Sequence, residues 1–324
     1  MPLRILITEP IVRSVIEKLQ KRYQVDVGNR GDFNTEEQLA EVIADYDALL
    51  PMLSNPITSK VIEAADKLKV IANHAVGYNN IDLEAAKSAG IKIANTPDVL
   101  TESSADFTIA LLLNTARKIC ESQQYLRSGK FKGWEPLGFL GMELNGRNLG
   151  ILGMGRIGTA VARRAKAFGL NILYHNRSRV KQDVEEELQA EYISSVNELA
   201  KRSDILSLNC PLTEETHHII DSEILDLMPD HALLINTARG PVIDEEALAE
   251  ALHTRKIAGA GLDVFENEPE VHPRLLSAPN CVITPHIASA TTQTRKAIGM
   301  LAANAIIGVL EGKPDASIPN LIQL

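Results

Sequence analysis

Cysteine is scarce in this chain, with three in 324 residues. Cys120, Cys210 and Cys281 are far apart, odd in number and in no metal-ligand spacing. That argues against a disulfide framework or a thiolate metal site and reads as reduced thiols in a cytoplasmic protein. No apolar run approaches the roughly 20 residues needed to span a bilayer. The opening MPLRILITEP carries one basic residue and a short apolar core. It reads as a first strand over 4–8 and not as a signal peptide. Excess positive charge is also missing, since the formal net charge is −9. No overall basic field exists to hold nucleic acid or an anionic membrane, so an anionic ligand must meet a local cluster of donors. Low-complexity segments and literal internal repeats are absent too.

What is present is ordinary for a globular protein: 45% hydrophobic and 23% charged residues, in a length that suits about two domains. Short β runs alternate with helical patterns, which predicts parallel sheets of βαβ units. The first series reads RILIT, YQVDVG, ALLPML, KVIANH and GIKIAN, with helices expected near 12–21, 36–43, 58–65 and 83–89. A long helix is expected over 103–126, followed by a loop over 128–146 that holds the only Trp, Trp134. A second series then runs through NLGILG, NILYHN, ISS, DILSLN, ALLINT, GAGLDV and CVITPH, and a last helix is expected over 291–310. The expected fold is α/β with two doubly wound parallel-sheet domains. One, over 101–286, is inserted into the other, formed by 1–100 and 287–324.

Residues 149–158 read LGILGMGRIG, an apolar strand running into Gly153-x-Gly155-x-x-Gly158 and then a helix expected over 159–168. The first glycine permits the tight turn, the second lets backbone approach a pyrophosphate, and the third lets helix pack on strand. The helix N-terminus supplies amide donors and positive potential. Alone, such a turn could be structural; between strand and helix it points to a dinucleotide. The carboxylate that holds an NAD ribose normally ends the second strand. Here that strand ends Asn176-Arg177-Ser178-Arg179, and no acid follows until Asp183. Two arginines and a serine would attract a 2′-phosphate, so NADPH is expected over NADH, with Arg177 the main partner. The alternative is a solvated basic loop.

Three later segments place charged residues at strand ends, where doubly wound sheets bind ligands. They are Ile235-Asn-Thr-Ala-Arg239-Gly240, then Gly261-Leu-Asp263-Val-Phe-Glu266-Asn-Glu268-Pro269, then Ile283-Thr-Pro285-His286-Ile-Ala-Ser289. Singly, the arginine could be a surface pair and the histidine a helix cap. With AVGYNNID (75–82), LGMGRIG (152–158), NTARGPVID (236–244), GLDVFENEP (261–269) and TPHIAS (284–289), the chain resembles the D-isomer-specific 2-hydroxyacid dehydrogenase family over essentially its whole length. Within it, the chain is most similar to the glyoxylate/hydroxypyruvate reductase branch, which includes bacterial 2-ketogluconate-reducing members.

The resemblance implies a catalytic triad of Arg239, Glu268 and His286. Reducing a 2-keto acid needs a carboxylate clamp, a proton for the carbonyl oxygen and a hydride donor. Arg239 suits the first through its paired donors. His286 suits the second because imidazole titrates near neutrality, and Glu268 against its ring would favour the imidazolium. Glu266 competes with Glu268 for that role, and the motif match favours Glu268. For the cofactor, the resemblance implies Gly153, Gly155, Arg156, Ile157, Gly158, Asn176, Arg177, Ser178, Arg179, Cys210, Pro211 and Thr237, with Asp263 at the nicotinamide carboxamide. For the substrate it implies Leu53, Val76 and Gly77 with Arg239 and Ser289, in a cleft between domains that closes on binding. A homodimer through the cofactor domain is implied, with Trp134 either a plain interface anchor or reaching the partner's active site. The expected function is NADPH-dependent reduction of glyoxylate or hydroxypyruvate. The alternatives are 2-ketogluconate reduction by the same chemistry, or a corepressor-like dinucleotide sensor with no turnover. His217 and His218 are adjacent and so cannot share a helix face, while His74, His175, His231, His253 and His272 stand alone, and no metal set is evident.

Overall fold

The computed structural model describes residues 2–324. The chain divides into two compact units, one formed by Met1–Leu100 with Ala290–Leu324 and the other by Thr101–Ser289. The second boundary falls three residues later than the sequence pattern suggests.

In the first unit, five parallel strands, β1 (Arg4–Ile7), β2 (Gln24–Val27), β3 (Ala48–Leu50), β4 (Val70–Ala72) and β5 (Lys92–Ala94), are ordered β2-β1-β3-β4-β5. This is the flavodoxin-like order, with its switch point between β1 and β3. Strand alternation divides the apolar residues between two faces. Ile5, Ile7, Ala48 and Leu50 join Ala302, Ile306 and Ile318 on one face, while Leu6 and Leu49 join Leu39, Ile43 and Val61 on the other. The chain's last long helix, Thr292–Leu310, thus completes the core of its first sheet. Local signals set the helix starts. Thr35 and Gln38 form a capping box before Glu36–Ile43, and Asp82 accepts from the Ala85 amide to cap Leu83–Ser88.

The second unit holds seven parallel strands: β6 (Asn148–Leu152), β7 (Asn171–His175), β8 (Glu191–Tyr192), β9 (Ile205–Leu208), β10 (Leu233–Asn236), β11 (Gly259–Leu262) and β12 (Cys281–Ile283). Their order is β12-β11-β10-β9-β6-β7-β8, the doubly wound dinucleotide-binding arrangement with one extra strand. The switch point lies between β6 and β9. Again two cores cover the two faces, with Leu149, Ile151, Leu233 and Ile235 on one and Leu206, Leu208, Leu234 and Leu262 on the other. Fully burying one such side chain is worth about 1.5–3 kcal/mol.

Two helices differ from expectation. The one expected over 103–126 is broken into Thr101–Ala116 and Ile119–Arg127. Lys118 between them takes a left-handed φ of 52°, and the Asn114 side chain accepts from the Cys120 amide at 2.9 Å. The helix after the glycine turn begins at Arg156, three residues early, because Gly155 itself is the N-cap. Among the described residues, no helix is long and apolar enough to cross a membrane. Nor does any group of three His, Cys, Asp or Glu side chains there suit a metal ion.

Candidate active site

The glycine turn sits at the carboxyl end of β6, beside the switch point, and its three glycines do different things. Gly153 has φ 95°, and a Cβ there would lie 2.5 Å from the Cys210 nitrogen. A Cβ on Gly158 would lie 2.5 Å from the Gly153 oxygen and 3.1 Å from Ile151, so this glycine lets helix meet strand. A Cβ on Gly155 would meet nothing within 4 Å. That open side, at the N-terminus of the helix Arg156–Ala167, is where a pyrophosphate could approach backbone amides. The residues present therefore fit a dinucleotide.

Asn176 fastens this turn. Its Oδ1 accepts from the Met154 amide at 2.6 Å, and its Nδ2 donates to the Met154 oxygen at 3.3 Å. Beyond it, Arg177 and Ser178 are exposed and hydrogen-bond to no described residue. Arg179 departs from the sequence expectation. Its fork is held by both oxygens of Glu185, at 3.0 and 2.7 Å, and its guanidinium lies 5.3 Å from the Tyr192 ring centroid. Glu185 stands in the helix Gln182–Leu188 and also receives the Tyr174 hydroxyl, so it claims the fork that a 2′-phosphate would need. Under Gly153, burial pushes the Cys210 thiol up to about 11, which leaves it a neutral packing group. The Pro211 oxygen accepts from the Thr216 hydroxyl at 2.7 Å, and Thr237 shares a hydrogen bond with Thr108 at 2.8 Å. Asn209, which the sequence reading passed over, follows β9 at the switch point, and its buried Oδ1 has no partner among the described residues.

Arg239 follows β10 in a loop tied by the buried Asn236. Asn236 Nδ2 donates to the Arg239 oxygen at 2.9 Å, and its Oδ1 accepts from the Ala238 amide at 2.9 Å. Burial pulls the Arg239 guanidinium below its ordinary pKa, against the opposing charge of Glu268. Any side chain on Gly240 would collide with the Phe265 carbonyl and the Glu266 nitrogen, so the Arg239 loop packs directly on the segment carrying Glu268.

Glu268 Oε2 accepts from His286 Nδ1 at 2.8 Å, and its Oε1 accepts from the Phe265 amide at 3.1 Å. Burial alone would raise this carboxyl. The hydrogen bond and charge of His286, with the Phe265 amide and the Arg239 charge, hold it below the usual carboxylate range. His286 has φ 53°, a left-handed conformation costly for a non-glycine residue. Asp263 is what holds it. This fully buried carboxylate accepts from the Thr284 hydroxyl at 2.7 Å, the Ile287 amide at 2.9 Å and the Ala288 amide at 2.8 Å. Burial raises its pKa despite these donors. Both of its oxygens thus accept from the His286 loop, Oδ1 twice and Oδ2 once, which leaves one lone pair on Oδ2.

Glu266 points elsewhere. It accepts from the Glu245 amide at 3.1 Å and pairs with His218, while its own amide donates to Glu245 at 2.9 Å. His231 and His272, expected to stand alone, are paired with Asp204 and Glu246, as His218 is with Glu266. In the first unit, Leu53 follows β3, and Val76 and Gly77 lie in the loop after β4, all half-buried. Ser289, half-buried, closes the second unit.

A doubly wound sheet with a glycine turn at its switch point, and an Arg, Glu and His gathered at its carboxyl edge, defines a dinucleotide-dependent oxidoreductase. Comparison with known proteins takes this to a family. The model of the D-isomer specific 2-hydroxyacid dehydrogenase NAD-binding domain matches residues 109–288. The chain is 47% identical over 321 residues to the glyoxylate reductase of Thermococcus onnurineus, covering 98% of this chain and 96% of that one. A solved Thermus thermophilus protein superposes with TM-score 0.92 at 41% identity, covering 99% and 100% of the two chains. The NADPH-dependent glyoxylate/hydroxypyruvate reductase of Sinorhizobium meliloti, solved with NADP and malonate, superposes with TM-score 0.86 at 35% identity over the whole of both chains. The chain belongs to the D-isomer-specific 2-hydroxyacid dehydrogenase family, in its glyoxylate reductase branch.

Proposed function

We propose that this enzyme reduces glyoxylate and hydroxypyruvate to D-2-hydroxy acids with NADPH. The observation that carries the reading is the His286–Glu268 contact beside Arg239. With Nδ1 on the carboxylate, His286 keeps Nε2 as the ring nitrogen that delivers a proton to the carbonyl oxygen. Arg239 pairs with the substrate carboxylate and polarises the ketone through its planar fork. The amides of Val76 and Gly77, with Leu53 and Ser289, complete the substrate contacts. The bound dinucleotide would supply the hydride.

Its contacts in this reading are Gly153, Gly155, Arg156, Ile157 and Gly158 at the pyrophosphate, with Cys210, Pro211 and Thr237 along the crevice. Asp263 would reach the carboxamide through its remaining lone pair, and Asn176 acts by fastening the turn. The preference for NADPH rests on a second strand that ends without a carboxylate and leaves Arg177 and Ser178 exposed. We expect Arg177→Ala to raise KM for NADPH roughly tenfold and Arg179→Ala to change it less than about twofold. An equal loss from both would put Arg179 on the phosphate after all.

A homodimer is part of the proposal. The helix Ile119–Arg127 buries none of its residues, and the loop after it exposes Trp134 (85%) and Leu137 (81%). Such a run of exposed apolar side chains suits a permanent interface. The free thiols suit a reducing, cytoplasmic setting. The test is initial rates with NADPH and NADH on glyoxylate, hydroxypyruvate, pyruvate and 2-ketogluconate, beside Arg239→Ala. NADPH-linked turnover of the first two, abolished in the variant, is the expected result. Turnover confined to 2-ketogluconate would replace the substrate, and none at all would leave a dinucleotide sensor.

A further inference from the structure

Three successive carbonyls in the loop after β4 are held by the first unit's own interior. The Thr96 amide donates to the Ala75 oxygen at 2.9 Å. Asn95 Nδ2 donates to the Val76 oxygen at 2.8 Å, and Asn73 Nδ2 to the Gly77 oxygen at 2.7 Å. A planar trans peptide points its N–H opposite to its C=O. Holding these carbonyls turns the amides of Val76, Gly77 and Tyr78 the other way, and those amides donate to no described residue. Successive outward amides form an anion-binding concavity.

The donors are themselves fixed by further asparagines. Asn73 is fully buried; it donates to Asn80 Oδ1 at 3.0 Å and accepts from Asn80 Nδ2 at 3.3 Å. Asn80 also donates to the Asn55 oxygen at 3.1 Å, and Asn55 accepts from the Thr8 hydroxyl at 2.6 Å. On the other side, Asn320 Nδ2 donates to the Asn95 oxygen at 2.7 Å.

We infer that Asn73 and Asn95 are positioning residues that aim the amides of Val76, Gly77 and Tyr78 at the substrate carboxylate. The inference rests on the 2-keto acid reading above. Asparagine suits the task because it both donates and accepts without charge. An aspartate in either place would set a negative oxygen against a loop carbonyl and weaken the positive potential that an anion needs.

The test is steady-state kinetics of Asn95→Ala and Asn73→Asp with glyoxylate and NADPH, together with thermal unfolding. Thr35→Ala, which breaks the capping box of the helix Glu36–Ile43 and touches none of these asparagines, is the control. KM for glyoxylate should rise roughly tenfold in Asn95→Ala and further in Asn73→Asp. Saturated kcat and KM for NADPH should stay within about twofold. Thr35→Ala should lower Tm and leave KM for glyoxylate within about twofold. An unchanged KM for glyoxylate in the folded variants overturns the inference, as does a fall in kcat alone. The half-buried Asn95 keeps the test standing if Asn73→Asp does not fold. If the wild type turns over no 2-keto acid, the functional reading fails, and oxalate binding by calorimetry tests the amides directly. Weaker oxalate binding by Asn95→Ala supports the inference, and equal affinity overturns it.

Discussion

In the proposed function the two units meet the same problem, holding a small anion, with opposite chemistry. In the second unit, the groups at the strand ends are ionisable: Arg239, Glu268, His286 and the buried Asp263 that shapes the His286 loop. In the first, neutral groups, the side chains of Asn73 and Asn95 and the Thr96 amide, hold the loop carbonyls, and the amides proposed to meet the anion are neutral too. Charged groups are suited to a step in which charge develops, since they stabilise it where it appears. Neutral amides are suited to a charge that stays the same throughout, since they hold it without titrating. The comparison teaches that reaction and retention are separable, and substitutions should separate them.

The largest effect is expected where the proton moves. His286→Gln keeps a polar side chain but cannot deliver a proton, and kcat should fall roughly a thousandfold with KM nearly unchanged. A variant that lost KM alone would turn His286 into a binding group and dissolve the contrast. Arg239→Lys keeps the charge and loses the planar fork, and kcat/KM should drop roughly a hundredfold. Glu268→Gln should lower kcat roughly thirtyfold. The lowered pKa of Glu268 gives the pH dependence its sign. The carboxylate is present above its ordinary value of 4.5 and persists below it, so its contribution is lost only as pH falls through the lower folded value. Profiles of kcat from pH 4 to 9 should therefore centre any loss from this group below 4.5 in the wild type. A loss centred at or above 4.5 would mean that the His286 contact is not made in solution.

The smallest effect on activity concerns the one titratable side chain buried close to the asparagines. His74 is 8% exposed, and burial, with the charge of Arg295, brings its pKa down to about 4. The unfolded chain takes up a proton near 6.5 that the folded one refuses. Stability is therefore complete above 6.5 and is lost as pH falls toward 4, by about 2 kcal/mol between pH 7 and 5. Urea unfolding across that range should show the slope, and His74→Gln should remove it. A slope that survived the substitution would place the titration elsewhere.

Much of this was legible in the letters. Both sheets follow from short buried runs, and in the first strand, for example, Ile5 and Ile7 face one core while Leu6 faces the other. The proposed triad came from the family resemblance and strand-end placement, and the choice of Glu268 over Glu266 agrees with the contact to His286. What stayed hidden depends on side chains far apart in sequence or on local conformation. Nothing in the letters marks Glu185 as the residue that takes Arg179, or Asn176 as the clasp of a turn 22 residues earlier. The helix break at Lys118 has neither glycine nor proline to announce it. The asparagines of the first unit lie between 7 and 225 residues from their partners in the pairs Asn73–Asn80 and Asn95–Asn320, beyond any periodic signal.

The order in which the chain leaves the ribosome gives the division of the first unit a meaning of its own. Its sheet is made first, but Ala302, Ile306 and Ile318, which cover one face of that sheet, come last. Between them lie the residues Thr101–Ser289, a self-contained unit with both of its cores. At ~5–20 residues per second, about ten to forty seconds pass while the early sheet waits half-covered. During that interval the inserted unit can close, so the nascent enzyme would acquire its dinucleotide fold before its older strands are sealed.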